Sequence, residues 1–285
     1  MARIDEFGRE GRNGALKRDN ACRQLPVDPR TPTHSFNVRA VAGAASSNSR
    51  RDQVHRQSQS GPSSVWLVIP GFNEGAMIGK TLASVAAWLP NVIVVDDGSS
   101  DETAAEAERV GAHVLRHQIN LGQGAALETG IRYALLQRAE FIITFDADGQ
   151  HRPEDIEVLL ETAQEQGADV VLGSRFLGRA HNMPRSRRWL LKAATLYTRL
   201  STGVSLTDAH NGLRLFTRKA AEQMRIRQNR MAHASEMIEW LGSSGLRVTE
   251  APVNIVYTDY STAKGQTLFS SFNILWDLWS SRLYR

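Results

Sequence analysis

FIITFDADGQH, residues 141–151, decides the fold, because in this stretch an apolar, β-branched run ends abruptly at two carboxylates. The run predicts a buried strand. Asp146 and Asp148 are separated by one residue, so near a strand end both side chains can point the same way. Two converging carboxylates repel each other unless a cation lies between them, and oxygen-preferring Mg²⁺ or Mn²⁺ commonly binds such a pair together with substrate phosphates. The alternative is an ordinary Asp- and Gly-rich turn.

Strand-like and helix-like segments alternate from Val65 onward. The predicted strands are Val65–Ile69, Val92–Val95, Ala112–Leu115, the run from Phe141, Asp169–Gly173, Leu213–Phe216 and Leu246–Val253. The predicted helices include Met77–Trp88, Ala125–Gln137, one starting at Pro153, Arg185–Leu200 and Ala232–Leu241. This alternation predicts an α/β fold with a mostly parallel sheet and helices on both faces.

Polar clusters follow four of these strands. They are Asn73–Glu74, Asp96–Asp97, Asn120–Gly124 and Asp146–Asp148. In parallel sheets of this kind, ligands bind beyond the carboxyl ends of the strands. The sequence therefore predicts a single site at that edge of the sheet.

The positive charge of the chain lies in its first 60 residues. The formal net charge is +4, yet residues 1–60 hold eleven basic and six acidic residues, so the remainder is at −1. Nucleic-acid binding needs basic residues clustered on a folded face, so we expect no nucleic-acid partner. Residues 1–62 are polar and aperiodic, which predicts a disordered basic tail.

The sequence therefore predicts three segments: the tail at 1–62, one α/β domain at 63–266, and an amphipathic C-terminal helix at 267–285. That helix carries an apolar stripe, which favours packing on the domain or on a second subunit as a homodimer. The alternative is peripheral contact with a membrane surface. The single cysteine, Cys22, excludes an intrachain disulfide. No apolar run reaches the ~18 residues of a spanning helix, so we expect a cytoplasmic protein, with the inner membrane face as its point of contact.

Four motifs in order carry a family resemblance. They are IPGFNE at 69–74, VVDDGSSD at 94–101, NLGQG at 120–124 and DADGQH at 146–151. Together they resemble the family 2 glycosyltransferases, and within them the polyprenyl-phosphate (dolichyl-phosphate) mannosyl- and glucosyltransferase branch. The resemblance covers roughly Val65 to Leu275. It implies a GT-A fold, a Rossmann-like sheet binding a UDP- or GDP-linked sugar, Mg²⁺ or Mn²⁺ as cofactor, and inversion at the sugar.

The resemblance also implies roles for individual residues on the donor side. Asp146 and Asp148 would hold the metal, with Gln150 as an additional ligand. Asp97 would accept hydrogen bonds from the base or ribose. The remaining donor-binding residues would shape the wall under the nucleoside or let the backbone approach it: Pro70, Asn73, Glu74, Gly122 and Gly124.

The second half of the chain resembles the acceptor side of the branch. Arg175, in Gly173–Phe176, matches an arginine that meets phosphate, since a guanidinium grips phosphate oxygens in a bidentate way. Either Arg187 or Arg188 matches a second one. Ser261 and Lys264 lie in the segment 257–266, which resembles a loop that closes over the phosphates.

The acceptor stays open between a lipid phosphate and a glycan hydroxyl, which would place the chain in cell-envelope polysaccharide synthesis. A lipid phosphate is already anionic and needs no general base, whereas a hydroxyl must lose a proton. The candidate catalytic residues besides Asp148 are Asp208, Glu236 and His233. Asp208 begins an Asp-x-x-x-Gly-x-Arg pattern at 208–214. A GT-A module that binds nucleotide sugar without turnover, or a nucleotidyltransferase, are the alternative functions.

Overall fold

The computed structural model describes residues 64–228 and 233–257, which all fall in one compact unit. The expected tail at 1–62, the expected C-terminal helix at 267–285, and the candidate residues Ser261 and Lys264 lie outside the described residues.

Seven strands and seven α-helices form the described part of the chain. The strands are β1 (Val65–Gly71), β2 (Val92–Asp96), β3 (His113–Arg116), β4 (Phe141–Thr144), β5 (Val170–His181), β6 (Arg214–Thr217) and β7 (Val248–Val256). The helices are α1 (Gly75–Ser84), α2 (Thr103–Val110), α3 (Gln123–Leu136), α4 (Glu154–Gln166), α5 (Arg185–Thr202), α6 (Arg218–Gln223) and α7 (His233–Ser243).

The strands form one mostly parallel sheet in the order β3-β2-β1-β4-β6-β5-β7. The first four in this order run parallel, so the segments that follow β1, β2, β3 and β4 emerge at one edge. β6 is inserted antiparallel between β4 and β5, and β7 pairs parallel with β5. The predicted fold class is confirmed, and the common edge predicted for the four polar clusters is present.

The core lies on both faces of the sheet because successive strand residues point to opposite sides. Val68 packs into one cluster, which α3 and α7 cover. Leu67 and Ile69 pack into the other, which α1 and α4 cover. A sheet buried on both faces explains why its strands are continuously apolar rather than alternating.

Two elements end at positions that differ from the prediction. The helix expected over Met77–Trp88 ends at Ser84, and a 3₁₀ helix with Pro90 inside it follows at Ala86–Asn91. β5 continues to His181, eight residues beyond its expected end at Gly173, because after a register shift it pairs again with β7. The extension of β5 has no local apolar run, so its pairing with β7 sets its length.

Within residues 64–228 and 233–257, no helix combines the length and the apolarity needed to cross a bilayer.

Candidate active site

The acid pair, Asp146 and Asp148, lies directly beyond the carboxyl end of β4. Phe145 still donates its backbone N–H to Val68 at 2.9 Å, so the ladder holds the chain up to the first carboxylate. Thr144 donates its hydroxyl to the carbonyl of Gly212 at 2.6 Å. Gly149 then turns the chain with φ +72°. The acid pair is therefore fixed by the sheet on one side and by the residues before β6 on the other.

Asp146 is fitted between His151 and Gly212. Its Oδ2 lies 2.9 Å from Nε2 of the buried His151, whose ring packs edge-on against Phe145. A Cβ on Gly212 would lie 2.1 Å from the same Oδ2. Only glycine leaves room for the carboxylate there, which gives a steric reason for the glycine at this position.

Positive charge around Asp146 keeps it ionised. Burial by itself raises the pKa of this carboxyl, but the hydrogen bond and charge of His151, with the charges of Arg214 and Arg175, together lower the pKa below its ordinary value. Asp146 is thus the member of the pair that carries the stable negative charge.

Asp148 has the opposite electrostatics. Burial raises its pKa first, and the charges of Asp146 and Glu74 raise it further. Gln150 lies against it, with its backbone N–H 3.0 Å from Oδ1 and its side-chain amide 2.6 Å from Oδ2. The Asp148 carboxylate is therefore repelled by the negative charge of Asp146, and a cation bound between the two would offset this repulsion.

The acid pair suits a divalent metal that substrate phosphates help to hold. The described residues contain no cluster of three or more His, Cys, Asp or Glu side chains that would bind a metal by themselves. Mg²⁺, however, is usually bound through one or two carboxylates plus substrate phosphates. Two oxygen-donor carboxylates fit that requirement, since burial and then the charge of Asp146 raise the pKa of Asp148.

The loops after β1 and β2 are tied together at the same edge. Asn73 adopts φ +53°, and its side-chain oxygen accepts from the backbone N–H of Ser100 at 3.0 Å. The backbone N–H of Glu74 donates to Thr103 Oγ1 at 2.8 Å. Pro70 is paired in register with Val95 on the neighbouring strand. These contacts tie the loop after β1 to the loop after β2, and the charge effect of Glu74 on Asp148 places Glu74 near the acid pair.

Asp97 holds the glycine-containing loop before α3. Its carboxylate accepts from the backbone N–H groups of Leu121 at 2.9 Å and Gly122 at 2.7 Å, and from His117 at 2.7 Å. Gly122 has φ +101°, in the left-handed region that favours glycine. Gly124 is buried in the first turn of α3. Among the described residues, the Asp97 carboxylate therefore fixes the loop before α3. The sequence did not predict this structural role.

A buried ion pair joins Arg175 and Asp208, two residues that the sequence predicts for the acceptor side. Arg175 Nε lies 2.6 Å from Asp208 Oδ2, its Nη1 donates to the hydroxyl of Tyr257 at 2.8 Å, and its Nη2 donates to the carbonyl of His210 at 3.1 Å. Burial lowers the pKa of Arg175, but Asp208 and Tyr257 outweigh it, so the net shift is upward. Glu250 supports the arrangement by accepting from the backbone N–H of Asp208 at 3.0 Å.

The remaining candidates are less closely grouped. Arg187 stacks over the ring of Tyr257, with Cζ 4.9 Å from the ring centroid, whereas Arg188 is exposed. Glu236 lies in the first turn of α7 and accepts from the backbone N–H groups of Arg227 and Gln228. His233 is buried at the start of α7.

Two residues near the acid pair belong to motifs quoted from the sequence but have no individual role there. His151 is one of them; it follows Asp146 by five residues and returns to it only because the Gly149 turn reverses the chain. Arg214 is the other; it is 5% exposed, its Nη1 lies 3.1 Å from the sulfur of Met237, and burial lowers its pKa. A basic residue predicted inside a buried strand is the signal that could have singled out Arg214.

Relatives of the chain were found among characterised and uncharacterised proteins. It is 38% identical over 225 residues to an uncharacterised protein of Methanocaldococcus jannaschii, covering 77% of this chain and 93% of that one. It is 30% identical to the UDP-N-acetylglucosamine–dolichyl-phosphate N-acetylglucosaminyltransferase of Methanococcus voltae, covering 75% and 94%. It is 32% identical to the undecaprenyl-phosphate mannosyltransferase of Micrococcus luteus, covering 70% and 86%.

A solved structure shares the fold. Glucosyl-3-phosphoglycerate synthase of Mycobacterium tuberculosis, crystallised with Mn²⁺, UDP-glucose and phosphoglyceric acid, superposes with a TM-score of 0.52 at 17% identity, covering 67% of this chain and 70% of that one. The family model described as "Glycosyl transferase family 2" matches residues 66–225, which span the acid pair and every described donor-side residue. The chain therefore belongs to glycosyl transferase family 2 and is a glycosyltransferase with the GT-A fold.

Proposed function

We propose that the protein transfers a sugar from a nucleoside-diphosphate sugar to a polyprenyl phosphate, with inversion at the sugar and with Mg²⁺ or Mn²⁺ bound at the acid pair. The observation that carries the proposal is the position of Asp146 and Asp148, beyond β4 and beside the loops that follow β1 and β2. The relatives of Methanococcus voltae and Micrococcus luteus are both named for polyprenyl-phosphate acceptors, which supports the acceptor class.

The acid pair would hold the cation and the diphosphate. A bound divalent cation would stabilise the charge that develops on the departing nucleoside diphosphate. His151 and Gly212 keep the Asp146 carboxylate in place, and Arg214 with Arg175 keeps it anionic. The loop that Asp97 fixes would present backbone to the nucleoside.

The acceptor oxygen would attack the sugar carbon from the face opposite the diphosphate. A new bond forms between that carbon and a phosphate oxygen, while the bond to the diphosphate breaks and its electron pair leaves with the nucleoside diphosphate. Because a phosphate acceptor is already an anion, this step needs no proton transfer.

The states of two candidate bases favour such an acceptor. Asp208 is 2% exposed and its carboxylate is paired with Arg175 at 2.6 Å. The carboxylate of Glu236 accepts from two backbone N–H groups. Neither carboxylate is placed to take a proton from a glycan hydroxyl without first losing these partners, so the hydroxyl acceptor is the weaker alternative.

A donor and acceptor screen tests the proposal. The purified protein would be incubated with Mg²⁺ or Mn²⁺, a panel of UDP- and GDP-linked sugars, and either undecaprenyl phosphate or simple glycans. We expect a lipid-linked sugar with one donor class, and loss of product with a chelator. Thermal stabilisation by a nucleotide sugar with no product on any acceptor would favour the binding module, and product on glycans alone would overturn the acceptor class.

A further inference from the structure

Helix α5 carries an apolar stripe on its exposed side. Trp189, Leu196 and Leu200 are 76%, 56% and 78% exposed, and Ala193 between them is also exposed. Spacings of four, three and four residues place all four on one side of a helix. We call these four residues the α5 face. Scattered exposed leucines need no explanation, but a contiguous stripe that includes a tryptophan marks an interaction surface.

Basic residues border the α5 face. The 18 residues of α5 include five basic residues and no acidic one. Four of them are exposed, and none of the four forms an ion pair with another residue of the described part of the chain: Arg185, Arg188, Lys192 and Arg199. These cations are therefore available to an external anionic partner.

We propose that the α5 face docks on an anionic membrane surface, with the helix lying in the interface plane. A helix with aromatic and aliphatic residues on one side and Lys and Arg beside them is suited to such a surface. Anionic headgroups attract each basic residue near the surface. A second copy of the chain fits less well, because two such helices would bring like charges together.

The docked helix would lead from the bilayer to the acceptor side of the site. Arg187, in the first turn of α5, stacks on Tyr257, and the hydroxyl of Tyr257 accepts from Arg175. A phosphate carried by a membrane lipid would thus arrive close to Arg175 when α5 lies on the bilayer. This consequence rests on the proposed function, whereas the docking itself does not.

Vesicle sedimentation tests the docking without any nucleotide sugar. The full chain would be mixed with vesicles of phosphatidylcholine alone or with 30% phosphatidylglycerol, and the bound fraction would be measured against lipid concentration. We expect binding that needs the anionic lipid and weakens with salt. The triple variant Trp189→Ser/Leu196→Ser/Leu200→Ser should lose at least about tenfold in partition coefficient. Leu136→Ser, which removes an equally exposed leucine from α3, should bind like the unmodified protein.

Two single charge reversals, one beside the α5 face and one elsewhere on the surface, provide a second comparison of vesicle binding. Lys192→Glu on the border of the α5 face should weaken binding at least about fivefold, because each basic residue near the surface contributes about fivefold. Lys80→Glu, on the exposed side of α1, should leave binding unchanged. Circular dichroism would check that both variants and the triple variant are folded.

Other outcomes would overturn the docking. Equal binding by Lys192→Glu and Lys80→Glu, or vesicle binding lost only in Trp276→Ser/Trp279→Ser, would assign the membrane contact elsewhere. A dimer in light scattering that the triple variant abolishes would assign the α5 face to a second copy. Transfer to a short, water-soluble polyprenyl phosphate is measured separately, so a protein that binds vesicles but transfers no sugar contradicts the proposed function and leaves the docking intact.

Discussion

Gly212→Ala changes the position of the Asp146 carboxylate without touching its chemistry. A Cβ at residue 212 would lie 2.1 Å from Oδ2 and 2.5 Å from both Cγ and Oδ1 of Asp146. Gly212 is not among the residues with positive φ, so alanine is compatible with its backbone and the strain is purely steric. The carboxylate must move by about 1 Å to reach ordinary contact distance, away from its hydrogen bond to His151.

We expect a large loss of activity and a small loss of stability. A misplacement of about 1 Å at a group that positions the reactants costs about 100-fold in rate. Overpacking by one methyl typically costs about 1–3 kcal/mol, and the half-buried carboxylate can swing toward solvent, so the cost should fall at the low end. The assay is steady-state sugar transfer at saturating donor and metal, together with urea unfolding of the same preparations.

Gly79→Ala is the matched control. The nearest heavy atom to its added Cβ would be Glu106 Oε2 at 3.5 Å, which is ordinary contact. Alanine also favours the helix interior by about 1 kcal/mol, so this variant should keep full activity and gain slightly in stability. Gly212→Ala with activity within twofold of the unmodified protein, while folded, would show that the position of Asp146 does not matter for transfer.

Three further predictions concern stability. The pKa of His210 is lowered from 6.5 to about 4 by burial; the unfolded chain therefore binds this proton first, and about 2–3 kcal/mol of unfolding free energy is lost as the pH falls from about 6.5 to 4. His210→Asn should reduce the difference in urea midpoint between pH 7 and pH 4, and an unchanged difference would contradict this. Arg175→Met should cost about 3–5 kcal/mol by leaving Asp208 buried and unpaired, and the double variant with Asp208→Asn should recover part of that; strictly additive losses would refute the pairing. Gly130→Ala, whose Cβ would lie 2.3 Å from Val68 Cγ1, should lower the melting temperature although Gly79→Ala raises it, and equal shifts would contradict the packing.

The strands and the common edge of the site were predictable because their signals are local. Buried parallel strands are continuous apolar runs, and the polar clusters follow them directly in the sequence. The pairing of β6 between β4 and β5 was not predictable, because Arg214–Thr217 is a four-residue strand whose partners lie far away along the chain. Strand order depends on such long-range pairing and not on propensity.

The partners of the site residues were harder to predict than the residues themselves. The contact of Asp97 with the nucleoside stays a prediction, and the structure adds that its carboxylate fixes the loop at Leu121 and Gly122. The contact of Arg175 with phosphate also stays a prediction, and the structure adds that three of its nitrogens donate to protein oxygens. A motif gives the residue type at a site, whereas the hydrogen-bond partners depend on tertiary contacts up to 82 residues away.

The most direct test of the central claim measures sugar transfer to undecaprenyl phosphate in the presence and absence of a divalent cation, for the unmodified protein and for Asp148→Asn. The account predicts a lipid-linked product with Mg²⁺ or Mn²⁺, none in excess chelator, and a loss of at least about 100-fold in the variant, with unfolding free energy retained. Undiminished transfer by Asp148→Asn, or by the unmodified protein in excess chelator, would contradict the assignment of the acid pair as the metal and diphosphate site.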